Sequence, residues 1–173
     1  MKITRKWAMP AAETFKIPPI RQLIYSYMGC DPNWADPFAN GNSPAEYTND
    51  INPEMPTKYH LDAHEFAKII ADVNGVLFDP PYSIEQMKRS YENIGRKFTM
   101  RDGQICNRWT ELKDCLTDKI RLGGYVISFG WNTQGFGKKR GFEKVEIMIV
   151  AHGSGHNDTL VTVERKFNEK LFA

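Results

Sequence analysis

Val76-Leu77-Phe78-Asp79-Pro80-Pro81-Tyr82-Ser83 is a short apolar run that leads straight into a rigid turn. Three consecutive large apolar residues mark a strand covered on both faces, as in the centre of a parallel sheet. Two prolines then end the strand and stiffen the turn, because neither carries a backbone N–H. Ser83 and Gln86 stand at capping-box spacing and open a helix with Ile84, Met87, Tyr91 and Ile94 inside and Gly95 as its C-cap. Ligands of open α/β sheets bind beyond the carboxyl ends of the strands, so Asp79 and Tyr82 fall where chemistry is expected. An aromatic residue in such a turn faces a cleft rather than a core.

Outward from this stretch, strands and helices keep alternating. Asp62 and Glu65 repeat the capping-box spacing before a helix whose apolar face is Phe66, Ile69, Ile70 and Val73, stopped by Gly75. Trp34 to Phe38 and Glu46 to Ile51 read as two short strands, ended by Asn40-Gly41-Asn42 and by Pro53 and Pro56. Ile20, Leu23, Ile24 and Tyr27 share a helix face ahead of them. Downstream, Ile105, Trp109, Leu112, Leu116 and Ile120 predict another helix, stopped by Gly123-Gly124. Tyr125 to Trp131, Glu143 to Val150 and Thr159 to Glu164 are the remaining strands, the last two suited to an antiparallel pair at the sheet edge. The pattern predicts an α/β fold with a mostly parallel sheet.

The 173 residues are 41% hydrophobic, enough for a real core, and residues 1–173 are expected to form a single domain. With 23 Lys and Arg against 21 Asp and Glu, any basic surface for a polyanion has to be local. Cys30, Cys106 and Cys115 form no C-x-x-C pair and suit reduced packing thiols in a cytoplasmic protein. No run approaches the roughly 20 apolar residues of a membrane span. Pro10, Pro18 and Pro19 break any helix that would serve as a signal. His60 and His64, like His152 and His156, stand four apart. The first pair starts in a strand-like stretch and the second sits among glycines, so no metal site is expected, and His152 is placed at the cleft rim.

Asp79-Pro80-Pro81-Tyr82 resembles the D-P-P-Y motif of the amino-methyltransferases that act on adenine N6. The resemblance implies a Rossmann-like, S-adenosyl-L-methionine-dependent methyltransferase, and the chemistry accounts for the residue types. The lone pair of an adenine amino group is delocalised into the ring. Acceptors on its two hydrogens favour a pyramidal nitrogen that can attack a methyl sulfonium. The Asp79 carboxylate and the Pro80 carbonyl are the expected acceptors, Pro81 stiffens the turn, and Tyr82 would stack on a base taken out of its helix.

Further motifs extend the resemblance over about residues 5 to 90. Asp36-Pro37-Phe38-Ala39-Asn40-Gly41 is similar to the D-P-F-x-G-x-G cofactor loop, with Ala39 and Asn40 departing from its pattern. Asp50-Ile51-Asn52 looks like the D-I-N stretch whose acid takes the ribose hydroxyls. Asp62-Ala63 lies where the family contacts the cofactor adenine, and Asp62 also reads as a helix cap. Trp7-Ala8-Met9, after Arg5-Lys6, resembles the K-W-A motif that closes over the cofactor, and Trp7 reads equally as a core anchor.

DNA is the expected partner, with Ser83, the cluster Arg96, Lys97 and Arg101, and the loop Lys138, Lys139 and Arg140 as contacts. The first cluster reads as an exposed basic loop, and the second reads equally as a solvated surface turn. No stretch is left for a separate target-recognition domain, and the small size resembles short methyltransferases carried by phages and prophages. Adenine in RNA would use the same four residues, whereas cytosine N4 favours Ser and glutamine favours Asn at the first of them. A cofactor-binding module that lost catalysis is the alternative from another class. It has no need of an intact amino-group clamp.

Overall fold

A computed structural model describes residues 1–99, 108–153 and 155–168, so Arg101, Ile105 and Cys106 lie outside the described residues. Seven strands form one sheet in the order β1 (Lys2–Trp7), β6 (Phe142–Ala151), β7 (Thr159–Lys166), β5 (Ile120–Gly130), β4 (Val73–Phe78), β2 (Trp34–Asp36) and β3 (Tyr47–Thr48). Only β7 is reversed: it pairs antiparallel with β5 and β6, and every other pairing is parallel. The expected antiparallel pairing of the last two strands is present, but it is not at the edge. Strand β1 adds outside β6, with Lys2 opposite Glu146 and Trp7 opposite Ala151. Its largely exposed, cationic side chains blunt that edge.

Leu77 faces one layer and its neighbours Val76 and Phe78 face the other, which is why the run is apolar at consecutive positions. On the first side α1 (Pro18–Met28) buries Ile20, Leu23, Ile24 and Met28 against Leu77, Ile127, Val150 and Val161. On the second, α2 (Ala63–Ile69) and α4 (Arg108–Lys119) bring Phe66, Ala67, Leu112 and Leu116 onto Val76, Phe78 and Val126. Helix α3 (Ile84–Asn93) follows the D-P-P-Y turn and buries Met87 and Tyr91, while Ile84 stays half exposed. Gly95 follows it with φ +71, the left-handed conformation expected just past a helix end.

Two element boundaries differ from the sequence reading for one reason. Helix α2 ends at Ile69, which is exposed, and Val73 already belongs to β4. Likewise Ile120 opens β5, which runs through Gly123 and Gly124 rather than stopping before them. In each case the end of the helix and the start of the strand pack into the same core cluster, so apolar spacing carries across the junction. Gly75 is a strand residue opposite Trp34, not a helix stop. A Cβ there would lie 2.6 Å from the indole ring, so the missing side chain makes room for the tryptophan. No helix among the described residues is long and apolar enough to cross a membrane.

Candidate active site

Strands β2, β3 and β4 release the chain at the same edge of the sheet, and a cleft of about 300 Å3 opens there. Its floor is the D-P-P-Y turn. The Tyr82 hydroxyl donates to Asp79 Oδ1, and the Thr14 hydroxyl reaches the same pair from a short 3-10 turn (Thr14–Lys16) ahead of α1. Burial pushes the Asp79 carboxyl up from the ordinary aspartate range, and both hydroxyls oppose that rise. Burial, then the neighbouring Asp79 charge, pushes the Tyr82 phenol far above its usual range, so Tyr82 stays a neutral donor. The turn is locked to α3 from both sides. Tyr82 N–H donates to Gln86 Oε1 at 2.6 Å, and Gln86 N–H donates to Ser83 Oγ at 3.2 Å.

The Tyr82 ring is backed by Trp131, with ring centroids 5.7 Å apart, just past the end of β5. Gly130 between them has φ +156, and a Cβ there would touch the Tyr82 ring at 3.7 Å. Trp131 is half exposed, so an aromatic step leads from solvent to the motif.

The second wall is organised by Asn49, a buried residue just past β3. Its Nδ2 donates to the Pro37 and Leu61 carbonyls, each at 3.0 Å, and its Oδ1 accepts from Leu61 N at 2.9 Å. One amide thus ties three segments together, and the 37–40 loop, Asp50 and Asp62 meet around it. Asp50 Oδ1 accepts from Asn52 N at 2.8 Å and Oδ2 from Asn40 N at 3.2 Å. Asp62 caps α2 by accepting from His64 N at 2.9 Å, while Glu65 turns away to Lys68 at 2.6 Å. Phe38, Phe78 and Trp109 form an edge-to-face aromatic cluster, and Phe38 and Trp109 reach the cleft with Ile51 and Ala63.

Asp36 lies fully buried beneath this wall. Oδ1 accepts from Phe38 N at 3.0 Å, and the Ser43 side chain reaches the same carboxyl; both oppose the effect of burial. Burial pushes this carboxyl up to about 7, and the nearby Asp79 and Asp50 charges push in the same direction.

No family model and no curated protein matches the chain. Solved structures do. The structure of TrmN from Thermus thermophilus superposes with a TM-score of 0.55 at 14% identity, over 87% of this chain. This chain spans about half of that one, 49%. The Escherichia coli protein yhhF, which carries a methyltransferase designation, superposes with a TM-score of 0.51 at 9% identity over 92% of this chain and 90% of its own. The fold is that of the Rossmann-like methyltransferases.

On this methyltransferase fold, Asp79, Pro80, Pro81, Tyr82, Pro37, Phe38, Asn40, Asp50, Ile51, Asp62 and Ala63 all line one cleft. Asp36, Trp7, Ala8 and Met9 do not: Asp36 is buried beneath the lining residues. Trp7 and Met9 are exposed, and Ala8 is held away by Ala151 and by His152 Nδ1, 2.9 Å from its carbonyl. Segment 12–15 lines the cleft instead, with Phe15 packed on Phe129. Both His152 ring nitrogens have protein partners, the second being Thr159 Oγ1 at 2.9 Å, so His152 staples β1 to β6 and β7 rather than facing the cleft. Ser83 is the cap of α3. The Arg96 guanidinium lies 4.7 Å from the centre of the Tyr91 ring, and Lys97, Lys138 and Lys139 are exposed. Arg140 is tied inward, to Asp114 at 3.0 Å and to the Phe136 and Thr110 carbonyls.

Thr14, Asn49, Gln86 and Trp131 were not singled out by the sequence. Gln86 alone left a trace there, as a capping residue, and its acceptor turns out to serve Tyr82 instead of Ser83.

Proposed function

We propose that the protein transfers a methyl group from S-adenosyl-L-methionine to the exocyclic N6 amino group of adenine in DNA. The observation that carries this reading is the Asp79–Tyr82 pair on the cleft floor. It is a half-buried carboxylate whose nearest donors are side-chain hydroxyls, beside an aromatic ring that lines the cleft.

The cleft fits the cofactor on its own chemistry. Asp36 lies buried directly beneath the lining residues Pro37 and Phe38, where its charge favours a cationic amino group in the cleft above. Each Asp50 oxygen already takes one backbone N–H and keeps lone-pair capacity for a ribose hydroxyl. Phe38, Ile51 and Trp109 offer apolar surface for a heteroaromatic ring. When bound, the cofactor supplies the electrophilic methyl group. The residues of this chain then do three things. Tyr82 holds the base by its face. Asp79 accepts from the amino group in exchange for the Tyr82 hydroxyl, concentrating charge where it develops in the transition state. The two prolines keep the turn from relaxing as that exchange occurs.

The test is to incubate the purified protein with labelled cofactor and DNA or RNA, digest to nucleosides and identify the modified one. N6-methyladenosine from the deoxy series is the expected product. Label in cytosine, in ribonucleosides alone or in no nucleoside would overturn the reading.

A further inference from the structure

Beside the cleft, on the far side of the Thr14–Lys16 turn, lies a second hollow of about 230 Å3. Phe15 and Asn42 form walls of both, so the two are neighbours separated by one turn of chain and the end of the 37–42 loop. The charged residues lining the hollow are Lys16 and Arg21, and no carboxylate joins them. Arg21 stands on the first turn of α1 with its guanidinium 5.7 Å from the centre of the Tyr25 ring, which orients the planar fork. It makes no ion pair or side-chain hydrogen bond among the described residues. Lys16 has one, an exposed contact with Glu13 at 3.2 Å that water and salt weaken readily. The Asn42 amide adds a neutral donor at the wall shared with the cleft.

An oriented guanidinium, an ammonium and an amide around a concave site match the tetrahedral oxygens of a phosphate. We propose that this hollow holds a backbone phosphate of the strand whose base enters the cleft, a proposal that rests on the nucleic-acid reading above. Phosphate contacts set register without reading sequence. A contact one turn away from Asp79 and Tyr82 would therefore position the target nucleotide whatever its neighbours are. It would also supply the local positive charge that the near-neutral composition withholds, in place of Arg140, which is tied inward.

The test compares the full-length wild type with the double variant Lys16→Gln, Arg21→Gln. Binding of single-stranded and duplex adenine-containing oligonucleotides is measured across salt concentrations. Loss of two phosphate contacts should flatten the log–log salt dependence by about 1.4 on single strands and about 1.8 on duplexes. Cofactor affinity should be unchanged, and kcat should hold while KM rises. An unchanged slope would overturn the proposal. So would competition by micromolar inorganic phosphate that the double variant abolishes, since that marks a site for a free anion. If the wild type methylates no polynucleotide while the double variant still loses slope, the site stands and the reaction assigned above falls. Methylation with an unaltered slope removes the site alone.

Discussion

Two carboxylates with raised pKa values, the half-buried Asp79 and the fully buried Glu164, sit in opposite kinds of surroundings. Glu164 on β7 is completely enclosed. Its oxygens accept from Phe136 N at 2.5 Å and Gly137 N at 3.1 Å, pinning the loop between β5 and β6. That loop has further tethers in Lys113, which donates to the Gly135 carbonyl at 2.7 Å, and in Arg140. Gly135 has φ +62, and a Cβ there would meet Glu164 Oε2 at 2.1 Å, so the close approach requires glycine. Asp79 is held by the hydroxyls of Tyr82 and Thr14. Backbone donors cannot leave without dismantling the loop, whereas hydroxyls can rotate away. A carboxylate at a cleft with exchangeable partners can take a new donor, and a buried one fixed by the backbone can only hold its place.

The contrast is broken or upheld first by Asp79→Ala. Turnover should fall by about 10²–10³, the scale for one preorganised group at a reacting centre, with cofactor affinity and melting temperature near wild type. The mirror experiment is Glu164→Ala, which strands two buried N–H donors. Urea unfolding should show a loss of about 2–3 kcal/mol, with kcat per folded molecule largely kept. Turnover collapsing in the Glu164 variant without a stability change, or stability collapsing in the Asp79 variant, would reverse the assignments.

The sequence disclosed the Asp79 side of this contrast and hid the Glu164 side. Asp36, Asp50, Asp62 and Asp79 are legible because each stands where a short apolar run meets turn-forming residues, and strand ends are where such sheets bind ligands. The contacts of Glu164 with Phe136, of Arg140 with Asp114 and of His152 with Ala8 span 28, 26 and 144 positions. Partners that remote leave no periodic trace. Strand β1 escaped for the same reason. Lys2 to Trp7 carries no two-fold alternation of polar and apolar residues, and its pairing is with β6 at the other end of the chain. Thr14 and Trp131 enter the site from outside the strand-end turns that the motifs mark, so only the folded chain shows them beside Tyr82.

Tyr82 sharpens the comparison at the level of a single atom. Tyr82→Ala removes a stacking face worth roughly 1–3 kcal/mol of substrate binding, and a mismatched or single-stranded target should recover part of it because flipping costs less there. Tyr82→Phe keeps the face and deletes only the hydroxyl on Asp79, so binding should stay close to wild type. That hydroxyl holds the Asp79 pKa down. Without it the pKa rises further, and since Asp79 must be ionised to accept from an amine, the acid limb of the kcat/KM profile should move to higher pH. A Phe variant with an unmoved acid limb would mean that the hydrogen bond does not govern Asp79.

Asp36 is a third carboxylate of raised pKa, fully buried, with a backbone N–H on one oxygen and the Ser43 side chain as a further partner. If the contrast between Asp79 and Glu164 is general, a carboxyl with an exchangeable hydroxyl partner is a functional one and its ionisation should be visible in cofactor binding. Burial places its pKa at about 7. The folded state then binds more protons than the unfolded chain between the ordinary aspartate pKa and about 7. This carboxyl alone therefore makes stability decline as pH rises through that window. Cofactor affinity should run the other way, because a cationic amino group favours the ionised form. Between pH 6 and pH 8 the ionised fraction passes from minor to dominant, and affinity measured by calorimetry should rise about tenfold, or about 1.4 kcal/mol. Asp36→Asn should bind more weakly at pH 8 and lose most of that dependence. A variant as pH-dependent as the wild type would move the titrating group elsewhere and leave Asp36 a structural acid of the Glu164 kind.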